Sequence, residues 1–204
     1  MTLTESFLFQ YSCPLNTVTT DNIMTSLTRI HTIVMVALFA ALIAAGALFS
    51  LPLGSVPFSL QPIFILLAGL CLGPRAGAAA VALYVAAGLA GLPVFVGGKS
   101  GLGVLLGPTG GFLIGFIGGG ALAGLGGHGE KPVWLAITGL VLAIICIYAC
   151  GVVGLVWSMQ LTLFKAIAVG VVPFLPGEVI KAILAFVIWR FMLRRGLLRN
   201  GRLS

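Results

Sequence analysis

The chain has 204 residues, of which 60% are hydrophobic and only 7% are charged. Soluble domains carry roughly 25% charged residues, so this composition excludes a water-exposed surface over most of the chain and makes lipid its solvent. The formal net charge of +7 does not indicate nucleic-acid binding, because the basic residues concentrate at the ends of apolar runs.

The N-terminal segment, residues 1–23, is polar and lacks the basic start and apolar core of a signal peptide. We expect it to be disordered or to precede the natural start of the chain, because Met24 stands directly before the first apolar run. The predicted domains are therefore this extension, a membrane domain over residues 24–196, and a basic cytoplasmic tail over residues 197–204.

Six apolar runs predict six membrane-spanning helices, over residues 30–50, 59–73, 76–97, 102–126, 132–157 and 174–193. Eight basic residues then fall on one side of the membrane: Arg29, Arg75, Lys131, Arg190, Arg194, Arg195, Arg199 and Arg202. Lys99 and Lys165 fall on the other side. Because Lys and Arg are enriched in cytoplasmic segments, this asymmetry places both termini in the cytoplasm. The predicted fold class is all-α integral membrane.

The first span carries a strip of small residues, Ala37, Ala41 and Ala45, at intervals of four. Residues four apart lie on one face of a helix, and small side chains allow another helix to approach closely. Two interpretations are open. The strip either packs inside the protein or docks a partner subunit.

The approach to the second span, residues 51–64, is rich in proline and glycine and is predicted to be irregular. The span itself, at about 15 residues, is shorter than the roughly 20 that a crossing needs. Irregular backbone at membrane depth is tolerated where it lines a cavity. We therefore expect a binding cavity at this position.

The chain contains partial matches to a nucleotide-binding and to a catalytic motif, and neither match is complete. Gly98-Lys99-Ser100 imitates the end of a phosphate-binding loop, but Pro93 occupies the position of its first glycine. Ser100 also imitates the nucleophile of an intramembrane protease. Its possible bases, His31 and His128, are predicted to lie on the opposite side of the membrane, about 30 Å away. The sequence therefore predicts neither an enzyme nor a cofactor or metal site.

Glu178 and Lys181 are the ionisable residues that the predicted topology places inside a span. Such residues are costly in lipid and indicate function by default. Their spacing lets them pair on one helix face, and the helix N-terminus favours an anion there. Either the pair is an inert ion pair, or Lys181 binds a substrate carboxylate while Glu178 accepts hydrogen bonds or fixes the lysine.

Several segments together resemble the BioY family, the biotin-binding S components of energy-coupling-factor (ECF) transporters. They are Pro57-Phe58-Ser59-Leu60-Gln61, LLAGLCLGPRAGA (66–78), YVAAGLAGLPVF (84–95), GPTGGFLIGF (107–116) and PGEVIK (176–181). The last matches the family's acidic-x-x-Lys motif, although the family usually has aspartate in place of Glu178. The resemblance covers residues 29–195.

The resemblance implies an S-component fold of six helices in the bacterial cytoplasmic membrane. It also implies biotin capture without enzymatic activity, in partnership with a transmembrane coupling protein and two ATPase subunits. The alanine strip resembles the family's docking surface for the coupling protein. An S component for another small vitamin is the alternative. The predicted substrate-binding residues are Phe58, Gln61, Tyr84, Phe95, Lys99, Glu178 and Lys181.

Overall fold

The computed structural model of the chain describes residues 15–53, 56–127 and 132–196. Helix α1 (Leu15–Leu48) is followed by a two-stranded antiparallel ribbon of β1 (Ser50–Leu53) and β2 (Val56–Ser59). Seven helices come next: α2 (Gln61–Leu72), α3 (Pro74–Leu89), α4 (Leu102–Leu105), α5 (Gly110–Ala123), α6 (Val133–Met159), α7 (Leu163–Gly170) and α8 (Leu175–Arg194). The described part is thus almost wholly helical, as the all-α prediction requires.

The first helix begins earlier than the sequence predicts. Its described backbone is helical from Leu15, whereas disorder is predicted up to residue 23. Adding residues to an existing helix requires no new nucleus, so a long apolar helix can continue into a polar flank. Residues 1–14, the basic tail at 197–204, His128 and Lys131 lie outside the described residues.

Two described helices are long and apolar enough to cross a membrane alone: the Arg29–Leu48 part of α1, and α6 with its 27 residues. Helices α7 and α8 form a third candidate span, bent by 54° at the break between them. Helices α2, α3 and α5 have 12, 16 and 14 residues, fewer than the roughly 20 of a full crossing. A span count of six therefore stays a prediction.

Two predicted spans are interrupted in the structure. Helix α3 ends at Leu89 rather than at residue 97, and the run at 102–126 is divided between α4 and α5. The first interruption follows from Gly91 and Pro93, and the second from Gly107-Pro108. Glycine and proline both disfavour continuation of a helix.

The segment predicted to be irregular before α2 contains the antiparallel ribbon, in which Ser50 pairs with Ser59 and Leu51 with Phe58. Proline cannot donate a ladder hydrogen bond, which is why two prolines argue against strands here. Pro52 and Pro57 stand opposite each other in the register. A two-stranded ribbon accommodates both, because each strand has one edge without a partner strand.

Helix α2 lies at the centre of the fold, in contact with α1, α3, α5 and α8. Its buried residues include Gln61, Pro62 and the whole run 65–70. Close approach of the backbones depends on glycine. A Cβ at Gly69 would stand 2.5 Å from the carbonyl oxygen of Gly120 on α5. The short central helix is thus enclosed by protein, so its length need not match the bilayer.

The buried apolar residues form two clusters at opposite ends of the bundle. One contains Tyr84, Phe95, Phe112 and Phe174, and the other contains residues such as Trp189. Arg75 opens α3 and Arg194 closes α8, so these two arginines lie at the Trp189 end. The opposite end contains a cavity.

The outer surface of the bundle is apolar. Large hydrophobic side chains stand exposed around it, among them Phe49 (69%), Trp134 (63%), Val153 (68%) and Phe164 (84%). Soluble monomeric proteins rarely expose so extensive an apolar surface to water. The described fold is therefore that of a membrane protein.

Candidate functional site

A cavity of about 810 Å³ opens at the end of the bundle opposite Arg75 and Arg194. Its walls come from β2, the first turns of α2, α5 and α8, the end of α3, the middle of α6, and the connection between α3 and α5. This volume lies within the roughly 300–1,000 Å³ range of small-molecule sites. All seven predicted substrate-binding residues line it: Phe58, Gln61, Tyr84, Phe95, Lys99, Glu178 and Lys181.

Glu178 and Lys181 form a buried ion pair at the start of α8. Lys181 Nζ donates to Glu178 Oε2 over 3.2 Å, and the two residues are 4% and 3% exposed, respectively. The pairing predicted from their spacing is therefore present. Pro176 lies in the first turn of α8, where backbone N–H groups have no partner within the helix, so the absence of an N–H in proline costs no hydrogen bond. Glu178 and Lys181 follow it in the first two turns.

The carboxylate of Glu178 is incompletely satisfied. Its Oε2 also accepts a hydrogen bond from Tyr148 Oη at 3.5 Å. Its Oε1 is buried and has no hydrogen-bond partner among the described residues. A buried acceptor without a partner costs about 1–3 kcal/mol. The site therefore offers an unused acceptor to a donor group of a ligand.

The ammonium of Lys181 is covered by Phe58. The nitrogen lies 3.9 Å from the centre of the Phe58 ring, a geometry that favours a cation over the aromatic face. Phe58 also stacks on Phe174 at 6.3 Å between ring centres. It lies over Gly177, where an added Cβ would stand 2.5 Å from the ring. The ribbon is thereby held against the start of α8.

A second group of polar residues also lines the cavity. Ser59 Oγ donates to Gln61 Oε1 at 3.0 Å, and Gln61 Nε2 donates to Tyr84 Oη at 2.6 Å. The three residues are 7%, 2% and 2% exposed, respectively. Together they form a continuous chain of hydrogen bonds from β2 through α2 to α3.

Phe95 and Lys99 reach the cavity from the connection after α3. Phe95 is 1% exposed and meets the Tyr84 ring edge-on at 5.7 Å between centres. The backbone N–H of Phe95 donates to the carbonyl of Lys99 at 3.0 Å, which closes a tight loop. Positive φ at Gly97 and Gly98 makes this turn possible. Lys99 is exposed at the cavity and has no carboxylate partner in the part of the chain that the structure describes.

Sequence reasoning missed several contributors to the site, namely Ser59, Phe112, Tyr148 and Phe174. Ser59 lies within a quoted motif, so its spacing of two from Gln61 was an available signal. Tyr148 was also detectable as a hydroxyl within the apolar run of α6. Phe112 lies within another quoted motif, GPTGGFLIGF, whereas nothing in the sequence distinguishes Phe174 from other apolar residues.

The alanine strip lies on the outer face of α1. Ala37, Ala41 and Ala45 are exposed, whereas Ile43 and Ala47 on the other face are fully buried. Packing against the described residues therefore does not account for the strip, because among them its surface is open to lipid or to another protein.

The sequence profile of the BioY family matches residues 19–197. "Biotin transporter BioY" of Thermotoga maritima is 44% identical over 76% of this chain and 92% of its own length. "Probable biotin transporter BioY" of Pyrococcus horikoshii is 39% identical over 76% of this chain and 91% of its own length.

A solved structure is also similar. The crystal structure of the S-component for biotin from an ECF-type ABC transporter superposes with a TM-score of 0.74 at 30% identity. The match covers 82% of this chain and 93% of that one. A profile that matches nearly the whole described chain, relatives at this identity and a shared fold agree: the chain belongs to the BioY family.

Proposed function

We propose that this chain captures biotin and carries it across the bacterial cytoplasmic membrane as the substrate-specific subunit of an ECF transporter. The observation that carries the proposal is the cavity with a buried, incompletely satisfied ion pair, Glu178 and Lys181, in a chain whose relatives are named biotin transporters. A subunit of this kind binds and moves its ligand without changing it chemically.

The chemistry of the cavity suits biotin, which combines a carboxylate, a polar ureido ring and an apolar thioether ring. We assign binding of the biotin carboxylate to Lys181. Its ammonium has three N–H donors, and one of them donates to Glu178. Lys99 adds positive potential at the mouth. Gln61, Tyr84 and Glu178 are the hydrogen-bonding groups, and Phe58 and Phe95 supply apolar walls.

The charges support an orientation of the chain in the membrane. Helix directions put Arg75 and Arg194 at one end of the bundle and the cavity with Lys99 at the other. If the arginine end is cytoplasmic, the cavity faces outward, where a capturing subunit meets its ligand. Six crossings in the cytoplasmic membrane, with both termini inside, are part of this proposal.

Growth tests the transport function. A bacterium that can neither make biotin nor import it should grow on limiting biotin when it carries this chain together with the coupling protein and its two ATPases. Growth no better than with empty vector, while the chain is present in the membrane, would contradict the proposal. Rescue of a thiamine or riboflavin auxotroph instead would assign the chain to another vitamin.

The alanine strip supports the proposed partnership with a coupling protein, because three exposed small residues in line permit close approach of a helix. Ala41→Trp would separate the two helices, so co-purification of the coupling protein should be lost while biotin binding by the isolated chain persists. Ala82→Trp, at an exposed alanine on α3, is the matched control and should leave co-purification intact. Equal co-purification of both variants would show that the strip faces lipid.

A further inference from the structure

The hydrogen-bonded chain of Ser59, Gln61 and Tyr84 has a direction. A serine hydroxyl has one hydrogen to donate, and here that hydrogen goes to the amide oxygen of Gln61. The amide nitrogen of Gln61 then donates to the hydroxyl oxygen of Tyr84. Each bond in the series thus runs from Ser59 towards Tyr84.

The last hydroxyl of the series keeps its own hydrogen. Tyr84 Oη accepts from Gln61, and in the part of the chain that the structure describes no acceptor lies within reach of its O–H. Tyr84 is 2% exposed and lines the cavity. A donor in this position is left unpaired unless a molecule in the cavity accepts from it.

The reverse direction leaves a different group unpaired. If the Gln61 amide were turned over, Tyr84 would donate to its oxygen and the amide nitrogen would donate to Ser59. The hydrogen of Ser59 would then need an acceptor. Among the described residues its hydroxyl contacts only Gln61, and Ser59 itself is 7% exposed. An empty cavity tolerates either direction, whereas a bound acceptor stabilises the direction that is observed.

Packing holds the three groups in place. The Tyr84 ring is fixed by the edge-on Phe95 ring. Gln61 is the first residue of α2, the helix at the centre of the fold. Because neither ring nor helix can move without disturbing the core, the hydroxyl oxygen of Tyr84 keeps a constant position, and its hydrogen is directed away from Gln61 whenever the Gln61 amide donates to it.

We propose that Ser59 and Gln61 are positioning residues that make the Tyr84 hydroxyl an obligatory donor to the bound ligand, so that the site selects ligands with an acceptor at this point. The proposal rests on the proposed function, in which biotin is the ligand and its ureido oxygen is the acceptor. A site built to donate discriminates against an analogue that lacks the acceptor, because the buried donor is then left unpaired.

A double-mutant cycle tests the proposal on the purified full chain, with biotin binding followed by titration calorimetry. Tyr84→Phe removes one neutral hydrogen bond and should weaken binding by about 2- to 13-fold. Ser59→Ala should weaken it to a similar degree, because the freed amide can turn and take the hydrogen of Tyr84. In the presence of Tyr84→Phe, adding Ser59→Ala should cause no further loss. Ser59→Thr keeps the hydroxyl and should bind biotin more tightly than Ser59→Ala.

Two comparisons separate this mechanism from a structural role. Ser158→Ala removes a hydroxyl on α6 that takes no part in this series and donates to the carbonyl of Gly154. Its removal should leave affinity unchanged. An analogue with the ureido oxygen replaced by an imine is a protonated guanidinium at neutral pH, which donates and cannot accept. It should bind wild type weakly and lose nothing more with Ser59→Ala or Tyr84→Phe. Losses that add, or that are equal for biotin and the imine, would overturn the proposal. If wild type binds no biotin at all, the proposed function fails instead.

Discussion

Replacing Lys181 by methionine tests the assignment of the ligand carboxylate, because it removes the ammonium and keeps a side chain of similar length. If Lys181 holds that carboxylate, the substitution deletes a hydrogen bond between charged groups in a cavity that is largely shielded from water. Such bonds contribute roughly 1.5–3 kcal/mol, which corresponds to a loss of affinity of about 10- to 150-fold.

The same substitution disturbs Glu178. Its Oε2 would keep only the 3.5 Å contact with Tyr148, and its Oε1 has no partner among the described residues. Removing one member of a buried ion pair destabilises a protein by about 3–5 kcal/mol. The single variant should therefore unfold at lower temperature than wild type, and its loss of affinity alone does not identify the cause.

The cleaner comparison uses Glu178→Gln as the background, because no carboxylate is then left unpaired. Lys181→Met is added to that variant, and binding of biotin and of its carboxamide is measured on both proteins by titration calorimetry. Biotin should lose about 10- to 150-fold on addition of Lys181→Met. The amide, which carries no charge, should change little.

Equal losses for the acid and the amide would refute this assignment. The carboxylate would then be held elsewhere, with Lys99, which lines the cavity, the next candidate. In that orientation the ureido ring would lie on the ion pair, and its N–H would supply the donor that Glu178 Oε1 lacks. Lys99→Ala would then produce the charge-dependent loss.

Three further predictions follow from the packing. Gly88→Ala places a methyl group into the ring of Phe95, so biotin affinity should fall; unchanged affinity would mean that this ring is no part of the site. Gly154→Ala puts a Cβ 2.7 Å from the Cα of Gly111, and overpacking of this kind costs about 1–3 kcal/mol, so the temperature of thermal unfolding should drop. A chain that begins at Met24 should support the same biotin uptake as the full chain, and loss of uptake would assign a role to the N-terminal segment.

The sequence was enough to predict which residues line the cavity, because several of them are rare in this chain. In a chain with so few charges, Glu178 and Lys181 are conspicuous inside an apolar run, and their spacing of three places them on one helix face. The family motifs supplied Phe58, Gln61, Tyr84 and Phe95, all of which line the cavity. Partners such as Tyr148 were missed because they join the site only through packing of separate helices.

The boundaries of the helices were predicted less well. Hydropathy detects apolar residues but does not distinguish a continuous helix from a broken one. The loop that carries Phe95 was therefore predicted to be part of a membrane span. The ribbon before α2 was missed because Pro52 and Pro57 argue against strands. Both features line or border the cavity, where irregular backbone is satisfied by protein contacts rather than by lipid.

Binding of radiolabelled biotin to the purified chain, without any partner, tests the central claim most directly. We expect saturable binding at one site per chain, displaced by unlabelled biotin and not by thiamine or riboflavin. Binding should weaken in Lys181→Met and Tyr84→Phe, which alter two different polar groups of the cavity lining. Absence of saturable binding by folded protein, or displacement by riboflavin as effectively as by biotin, would contradict the account.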